Sequence, residues 1–528
     1  MKKINIFVLS GFSLLILRLI YLQVISEEKY KLLAKRNCVK AKILRARRGK
    51  IYDRNGVIVA TDKISYWVKK DNEVEKNASF KRIAFYEEHI DSFPVDIEIR
   101  PHRWYPFSYV FSHPVGYVGE VSREELQPPY ILGDVIGKMG IERFYEEFLR
   151  GKRGYSYVIV DATGKEIAPY PEYIPPSAGK DLVLTIDSRL QRFAYNLIDR
   201  GVIVAASPRT GEILCYISKP SFNPNSVSVY IRDTLFAMWD RVACGTYSPG
   251  SVFKIITAAC ALEEGIADEN TKVFCSGAMK IGRRYFKCWS THGEVDFYNA
   301  IVKSCDVFFY KLGLKIGFDE LTKFARKMGF GKKVGIDLPY EGSGFIPDRS
   351  FYREKYGRRV WKGDVANLSI GQGEILCTPL QLLQFFCAIA NNGKTKRLHL
   401  VKKVKSGNRI FCSINVQDYE LPLSESTIQF LKSAMEGAVD KPYGTGHLAY
   451  IPGLSVCGKT GTAENPLGKP HALFCAFAPR DSAEIAVVVV VEHGGMGGVK
   501  AAPIAREVIR EYFRLKEELP AWEQSFSR

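Results

Sequence analysis

Two pairs of strand-like runs, one early and one late in the chain, constrain the fold more than any other feature of the sequence. The runs are Val202–Ala206, Glu212–Ile217, Ala472–Ala478 and Ile485–Val491, and each pair flanks a short turn that contains proline. Each pair predicts an antiparallel hairpin. Helical patterns dominate the sequence between the hairpins, so we expect one antiparallel sheet covered by helices, an α+β fold.

The first 25 residues form a different kind of segment. Ile4 to Ile25 is a 22-residue stretch in which Arg18 is the single charged residue. This length spans a hydrocarbon core of roughly 30 Å. A cleavable signal peptide usually has a shorter apolar run, whereas this one leads directly into Ser26-Glu-Glu-Lys-Tyr30. The sequence therefore predicts an uncleaved transmembrane anchor.

The positive charge of the chain is concentrated beside this anchor. The net charge is +18, and residues 1–55 hold 14 Lys and Arg against Glu27, Glu28 and Asp53. Attraction to anionic lipid head groups and an ordinary solvated basic surface both explain this distribution, and nucleic-acid binding is not expected. By the positive-inside rule, the basic residues after the anchor would place the rest of the chain in the cytoplasm. The motifs described next argue against that location.

Three short motifs carry the chemistry. Ser251-Val-Phe-Lys254 opens a helical run that ends before Gly265. A serine hydroxyl becomes a good nucleophile when a neighbouring base takes its proton, and a desolvated lysine can be that base. The spacing alone is weak, because Ser26-Glu-Glu-Lys29 has it as well. The signal becomes specific because Ser304-Cys-Asp306 and then Lys459-Thr-Gly-Thr462 follow in order.

The order, spacing and context of these motifs resemble those of the class B penicillin-binding proteins. Asp306 in place of asparagine, together with Trp289-Ser-Thr-His-Gly293, looks like the elongation type, penicillin-binding protein 2. The resemblance also covers Arg48–Gly56, Gly137–Gly154, the run from Pro220, Ile370–Gly373 and Thr378–Gln381. It implies a stub and anchor at 1–25, an elongated pedestal domain of the dimerisation type at 26–170, a serine β-lactamase-like transpeptidase domain at 171–516 and a tail at 517–528.

The resemblance implies a peptidoglycan D,D-transpeptidase and a role for each motif residue. Ser251 would attack the penultimate D-Ala carbonyl of a stem peptide, with Lys254 as the base. Ser304 would relay a proton to the leaving amine, Asp306 would orient the substrate and Lys254, and Lys459 would tune the electrostatics. Thr460, Gly461 and Thr462 would bind substrate, and the backbone N–H groups of Ser251 and Thr462 would form the oxyanion hole. A stem-peptide amine would resolve the ester, and no cofactor is required for this chemistry.

The resemblance also implies partners and a location. We expect peptidoglycan stem peptides, β-lactam antibiotics, the membrane, a SEDS-family glycosyltransferase and other elongation-complex proteins as partners. The protein would cross a bacterial inner membrane once, with its catalytic domain on the periplasmic or extracellular face.

Four residues suit a metal. Cys275, Cys288, His292 and Cys305 fall within 31 residues and offer sulfur and imidazole ligands for a tetrahedral zinc ion. Such an ion would brace the loop that contains Ser304 and Asp306. Some elongation-type relatives resemble this, with zinc held by carboxylate, His and Cys ligands, although here Cys stands at the carboxylate positions. A disulfide, for instance Cys275 with Cys288, and plain buried thiols remain alternatives.

Other functions stay open at this stage. A division-type transpeptidase, penicillin-binding protein 3, is the alternative within the class. A D,D-carboxypeptidase or a β-lactamase has the same three motifs, but the anchor and the pedestal-like segment favour transfer over hydrolysis. A non-enzymatic sensor would need a domain across the membrane, and only Met1–Lys3 precede the anchor. A scaffold for wall-synthesis proteins could coexist with catalysis.

Three further patterns predict local structure. Gly137–Leu149 has the apolar spacing of a helix, and Ala502–Lys516 that of an amphipathic helix. Pro169–Pro176 is rich in proline and predicts a linker. His471, at the entrance to a strand, is expected to be structural or to line the cleft.

Overall fold

The computed structural model of the chain describes residues 2–70, 73–75, 96–465 and 468–518. Its contacts divide the chain into two compact units, each built from separate stretches. The first unit comprises Met1–Gly49, Asp62–His102 and Arg150–Gly179, and the second comprises Lys50–Thr61, Arg103–Leu149 and Lys180–Arg528. The chain therefore passes between the two units several times.

The first unit begins with the apolar segment. A helix at Lys2–Ile20 continues as a wider turn at Tyr21–Ile25, and a second helix follows at Glu27–Cys38. In the described part of the chain, one helix, Phe7–Ile25, is long and apolar enough to cross a membrane, with a mean hydropathy of 2.0. None of its apolar window is buried against the protein. An anchor helix explains such a surface, since lipid would cover it.

The first unit also contains a three-stranded antiparallel sheet, which corrects one prediction. Its strands, in order, are Val39–Leu44, Gly154–Val160 and Glu166–Ile174. The proline-rich stretch predicted as a linker is therefore mostly a strand. It lies at the edge of the sheet. Proline has no backbone N–H to donate, and an edge strand tolerates this because one of its sides has no neighbouring strand to receive a hydrogen bond.

The second unit is organised around a five-stranded antiparallel sheet, which we call the central sheet. Its strands, in order, are Ile213–Lys219, Gly201–Ala206, Ile485–Val491, His471–Ala478 and Cys457–Ala463. Both predicted hairpins are present, and they join because Gly201–Ala206 pairs with Ile485–Val491. The α+β prediction is confirmed. Cys457–Ala463, which carries the Lys-Thr-Gly motif, lies at one edge.

Helices cover both faces of the central sheet. Gly497–Glu517 and Ser188–Tyr195 bury their apolar residues against one face, and Lys254–Glu263 and Pro379–Ala390 lie in the core on the other. Because both faces are covered, the strand Gly201–Ala206 is buried along its whole length rather than at every second residue. The C-terminal helix was predicted at 502–516, and the structure extends it at its start.

The remaining helices and strands lie around these elements in the chain order, and most of them are short. The predicted helix at 137–149 is divided into a strand at Val135–Gly137 and helices at Gly140–Phe144 and Glu146–Leu149. Other helices lie at Ser112–Val115, Phe297–Val302, Asp306–Ile316, Phe318–Lys327, Arg349–Tyr356, Lys362–Ser369 and Glu425–Asp440. Other strands lie at Ile51–Tyr52, Ile58–Lys70, Glu73–Glu75, Asp96–Trp104, Val118–Glu120, Asp181–Leu184, Lys272–Cys275, Ala278–Ile281, Arg284–Lys287, Gly293–Asp296, Lys394–Lys396, Val401–Ser406, Arg409–Ser413 and Asp418–Glu420.

One buried carboxylate joins separate segments of the second unit through hydrogen bonds. Asp337 accepts hydrogen bonds from the backbone N–H groups of Leu400 (2.7 Å) and Val401 (2.9 Å) and from Tyr145 Oη (2.9 Å). Burial raises the pKa of this carboxyl. The three donors would all be left without an acceptor if the side chain were removed.

We expect Asp337→Ala to lower the free energy of unfolding by about 3 kcal/mol, because buried donors without partners are costly. Tyr145→Phe removes one hydrogen bond and should cost about 1 kcal/mol. Thermal unfolding of the detergent-solubilised chain measures both. Equal midpoints for the two variants would show that Asp337 does not hold this region together.

Candidate active site

The predicted nucleophile lies in a tight turn at the start of a buried helix. Ser251 is in the 3-10 turn Gly250–Phe253, which continues directly into the helix Lys254–Glu263. Gly250 has a positive φ of 52°, and a Cβ at this position would lie 2.6 Å from the carbonyl oxygen of Thr462. Only glycine permits this approach, so the turn is packed against the edge strand of the central sheet.

Lys254 is completely buried and contacts the loop that carries the second motif. Its Nζ donates to Asp306 Oδ1 (2.6 Å), to the carbonyl oxygen of Ser304 (2.8 Å) and to Ser304 Oγ (3.1 Å). In the described part of the chain, no hydrogen bond joins Lys254 Nζ to Ser251 Oγ. The amine group of Lys254 is therefore held by Ser304 and Asp306.

Lys459 approaches the same hydroxyl from the edge strand. Its Nζ donates to Ser304 Oγ (2.9 Å) and to the carbonyl oxygen of Thr460 (3.2 Å). Burial lowers the pKa of Lys459 well below its usual value, and the nearby charge of Lys254 lowers it further, while Asp306 opposes the shift. A lowered pKa favours the neutral amine of Lys459.

The rest of the third motif is packed closely against the nucleophile turn. Thr460 Oγ1 donates to Thr445 Oγ1 (3.1 Å), and the backbone N–H of Gly497 donates to Thr462 Oγ1 (3.4 Å). A Cβ on Gly461 would lie 2.7 Å from the carbonyl oxygen of Pro249. The edge strand can therefore come this close to the turn because the motif has glycine at this position.

The Gly-Gln-Gly segment, Gly371–Gly373, is hydrogen-bonded to both the edge strand and the nucleophile turn. Gln372 Nε2 donates to the carbonyl oxygen of Thr462 (2.8 Å), and the backbone N–H of Gly250 donates to the carbonyl oxygen of Gly371 (2.9 Å). Sequence reasoning noted this segment as part of a resemblance but gave its residues no role. It gave none to Thr445 or Gly497 either, since nothing in their local sequence indicates proximity to the motifs.

The four predicted metal ligands lie together beside the Ser304 loop, and we call them the Cys/His cluster. Their ligand atoms all lie within 4.8 Å of one another. His292 Nδ1 is 3.6 Å from the Sγ atoms of both Cys275 and Cys288, and none of the twelve cysteines, all within the described residues, forms a disulfide. The hydrogen bond from Cys305 lowers the pKa of the Cys288 thiol, which favours a thiolate.

The Cys/His cluster is hydrogen-bonded directly to the Ser304 loop. The backbone N–H of Asp306 donates to Cys288 Sγ (3.3 Å), and Cys305 lies between Ser304 and Asp306 in sequence. Trp289 Nε1 donates to the carbonyl oxygen of Lys303 (2.9 Å). The residues around the cluster therefore fix both ends of the loop that contacts Lys254 and Lys459.

Comparison with known proteins agrees with this geometry. The penicillin-binding protein transpeptidase domain family matches residues 201–510, and the penicillin-binding protein dimerisation domain family matches residues 67–184. Peptidoglycan D,D-transpeptidase MrdA of Acinetobacter baumannii is 32% identical, over 95% of this chain and 86% of its own.

The chain belongs to the penicillin-binding protein transpeptidase family.

Solved structures extend this likeness along almost the whole chain. Penicillin-binding protein 2 of Helicobacter pylori, in a complex with MreC, superposes with a TM-score of 0.80 at 28% identity, over 91% of this chain and 99% of that one. A chain of a peptidoglycan synthase complex, studied for the coordination of polymerization and crosslinking, superposes with a TM-score of 0.77 at 28% identity, over 98% and 99%. This penicillin-binding protein therefore resembles one chain of each complex over at least 91% of its length.

Gly371 offers a sharp test of the close packing in this penicillin-binding protein. A Cβ there would lie 2.2 Å from the carbonyl oxygen of Gly250, whereas one on Gly373 would meet only Asn367 Cβ, at 3.7 Å. Both glycines have a positive φ, so alanine is strained at each. We expect Gly371→Ala to slow acylation by a labelled penicillin about 100-fold, because it displaces the Ser251 turn.

Gly373→Ala is the matched control, and it should retain most of the rate. Stopped-flow or gel-based labelling with a fluorescent penicillin measures both variants. Equal rates for the two would refute the idea that Gly371 sets the position of the nucleophile turn.

Proposed function

We propose that this chain is a peptidoglycan D,D-transpeptidase of the elongation type that works through an acyl-enzyme on Ser251. The observation that carries the proposal is the convergence of Lys254 and Lys459 on Ser304 Oγ. Ser251 lies in the turn that leads directly into the helix starting at Lys254. Membership of the family and full-length likeness to elongation-type relatives support it. The division-type, hydrolytic and scaffold alternatives have no comparable support.

The proposed mechanism begins with proton transfer from Ser251. The lowered pKa of Lys459 favours its neutral amine, which can take a proton from Lys254 through Ser304 Oγ, because that hydroxyl is hydrogen-bonded to both amines. Lys254 can then accept the Ser251 proton, and we assign the role of base to it. The Ser251 oxygen attacks the penultimate D-Ala carbonyl. The backbone N–H groups of Ser251 and Thr462 would stabilise the oxyanion.

Collapse of the tetrahedral intermediate breaks the C–N bond and forms the ester on Ser251. Ser304 Oγ is hydrogen-bonded to both amines, so it can pass the proton from Lys254 to the departing D-Ala amine. Attack by an amine of a second stem peptide then forms the cross-link and returns the proton to Ser251. All groups in these steps come from the protein and its substrates.

The edge position of Cys457–Ala463 suits an extended peptide substrate. The strand has a partner on one side only, His471–Ala478. We assign Thr460, Gly461 and Thr462 to substrate binding, because an unpaired strand edge can hydrogen-bond an extended peptide. Asp306 would keep Lys254 in place and orient the substrate.

We propose that the Cys/His cluster binds a structural zinc ion. Typical Zn–S and Zn–N bonds of about 2.3 and 2.0–2.1 Å place sulfur and nitrogen about 3.6 Å apart in a tetrahedral site. The two distances from His292 Nδ1 to cysteine sulfur have this value. A zinc ion there would hold the Ser304–Asp306 loop in position and take no part in acyl transfer.

The proposal also covers the domains, the membrane location and the protein partners of the enzyme. Residues 1–25 would be a cytoplasmic stub and single membrane span, 26–170 the pedestal, 171–516 the transpeptidase domain and 517–528 a tail. The catalytic domain would face the periplasm or the cell exterior, where peptidoglycan lies. A SEDS-family glycosyltransferase and an MreC-like elongation protein are the proposed protein partners, because relatives of known structure occur in a synthase complex and in a complex with MreC.

We expect Ser251→Ala to abolish labelling by a fluorescent penicillin, since no acyl-enzyme can form. Mapping of the labelled wild-type peptide should place the adduct on Ser251, and the adduct should hydrolyse slowly, as expected of a transferase. Circular dichroism should show that the variant is folded. An adduct on another residue would refute the mechanism, and rapid turnover of the penicillin would favour the hydrolase alternative.

We expect the purified chain to contain about one zinc ion per molecule, measured by elemental mass spectrometry. Cys288→Ser should lose most of the metal and lower the thermal midpoint. Cys244→Ser is the matched control, because Cys244 is also half-buried but lies outside the cluster. Full metal content in the Cys288 variant, or none in the wild type after purification without chelators, would contradict the zinc assignment.

A further inference from the structure

A short hairpin beside the Cys/His cluster carries four exposed basic side chains. Its strands are Ala278–Ile281 and Arg284–Lys287, joined by Gly282 and Arg283, and we call it the basic hairpin. The side chains of Lys280, Arg283, Arg284 and Lys287 are all exposed, and none forms an ion pair with a carboxylate in the described part of the chain. By contrast, Lys272 in the neighbouring two-stranded sheet is paired with Glu294.

The register of the hairpin separates an inner face from an outer face. Met279 is opposite Phe286, and Lys280 is opposite Tyr285. Phe286 packs edge-on against Tyr310 at 5.7 Å between ring centroids, which defines the inner face. Because side chains alternate along a strand, Lys280, Tyr285 and Lys287 share the outer face. The Tyr285 side chain is 68% exposed, and Lys280 Nζ lies 5.8 Å from the centroid of its ring on this outer face.

The basic hairpin is connected to the Ser304 loop through the Cys/His cluster and the helix Asp306–Ile316. It occupies the interval between Cys275 and Cys288, two members of the Cys/His cluster. Tyr310 Oη donates to the carbonyl oxygen of Lys287 (3.1 Å), and Tyr310 lies one turn after Asp306 on the helix Asp306–Ile316. The same cluster and helix thus hold both the hairpin and the residues that contact Lys254.

We propose that the outer face of the basic hairpin binds the carboxylate groups of a peptidoglycan strand while one of its stem peptides reacts at Ser251. This inference rests on the proposed function, since it identifies the occupant from the substrate of that reaction. A stem peptide that ends in D-Ala carries a carboxylate, and a strand presents many such groups in series. The exposed lysine and arginine side chains form no ion pair with a carboxylate in the described residues, so they complement that charge. The exposed Tyr285 ring beside Lys280 adds an apolar surface for the sugar rings.

The experiment compares binding of the full-length protein in detergent to purified sacculi. The test variant is Lys280→Gln, Arg283→Gln and Lys287→Gln combined. The matched control combines Lys327→Gln, Lys332→Gln and Lys333→Gln, which removes the same charge from exposed lysines that make no ion pair in the described residues. Co-sedimentation at several salt concentrations gives the half-saturation value for each protein.

We expect the hairpin variant to bind sacculi about tenfold more weakly than wild type at low salt, with the difference shrinking as salt screens the charges. The control variant should bind like wild type. Amidation of the sacculus carboxylates should weaken wild-type binding and leave the hairpin variant little changed. Equal binding by the two variants, or no effect of amidation, would overturn the proposal.

Two further measurements separate this proposal from its alternatives. Labelling by fluorescent penicillin on the same samples reports the Ser251 site, so a wild type that fails to label refutes the proposed function rather than the hairpin assignment. Vesicles with phosphatidylglycerol test a membrane partner. Retained sacculus binding together with lost vesicle binding in the hairpin variant would overturn the proposal in favour of lipid.

Discussion

The active site depends on the burial of two lysines around one serine hydroxyl. Lys254 and Lys459 are both completely buried, and both donate to Ser304 Oγ. Two ammonium groups removed from water are unfavourable, and Asp306 supplies the only carboxylate that pairs with either lysine in the described residues. The site is therefore stable only when a helix, a loop and a sheet edge are all in place.

Close backbone contact provides that placement. The nucleophile turn lies against the edge strand because positions 250, 371 and 461 have no side chain. A side chain at any of them would meet backbone atoms of the neighbouring segment, and backbone cannot move aside as a side chain can. The glycines of the Lys-Thr-Gly and Gly-Gln-Gly motifs thus have a steric function, which is to let the catalytic segments touch.

The sequence predicted the parts of this arrangement that local patterns encode. Continuous apolar runs with turn residues predicted the hairpins, and the order of the motifs predicted which residues would meet. The supporting roles of Gln372, Thr445 and Gly497 were not predicted, because they depend on contacts between segments distant in sequence. The stretch at 169–176 was wrongly predicted as a linker, because proline at a sheet edge cannot be distinguished from proline in a loop without its neighbours.

The strained backbone of the Ser304 loop gives a physical reason for the position of the Cys/His cluster. Ser304 has a positive φ of 52°, a conformation that costs a residue with a side chain about 1 kcal/mol or more. Such strain persists only where the surroundings fix the backbone. Cys305 and the contact from Asp306 N–H to Cys288 Sγ tie the loop to the cluster on one side, and the two lysines hold its hydroxyl on the other. The backbone thus aims Ser304 Oγ between the two amines, a position that a relaxed loop would not maintain.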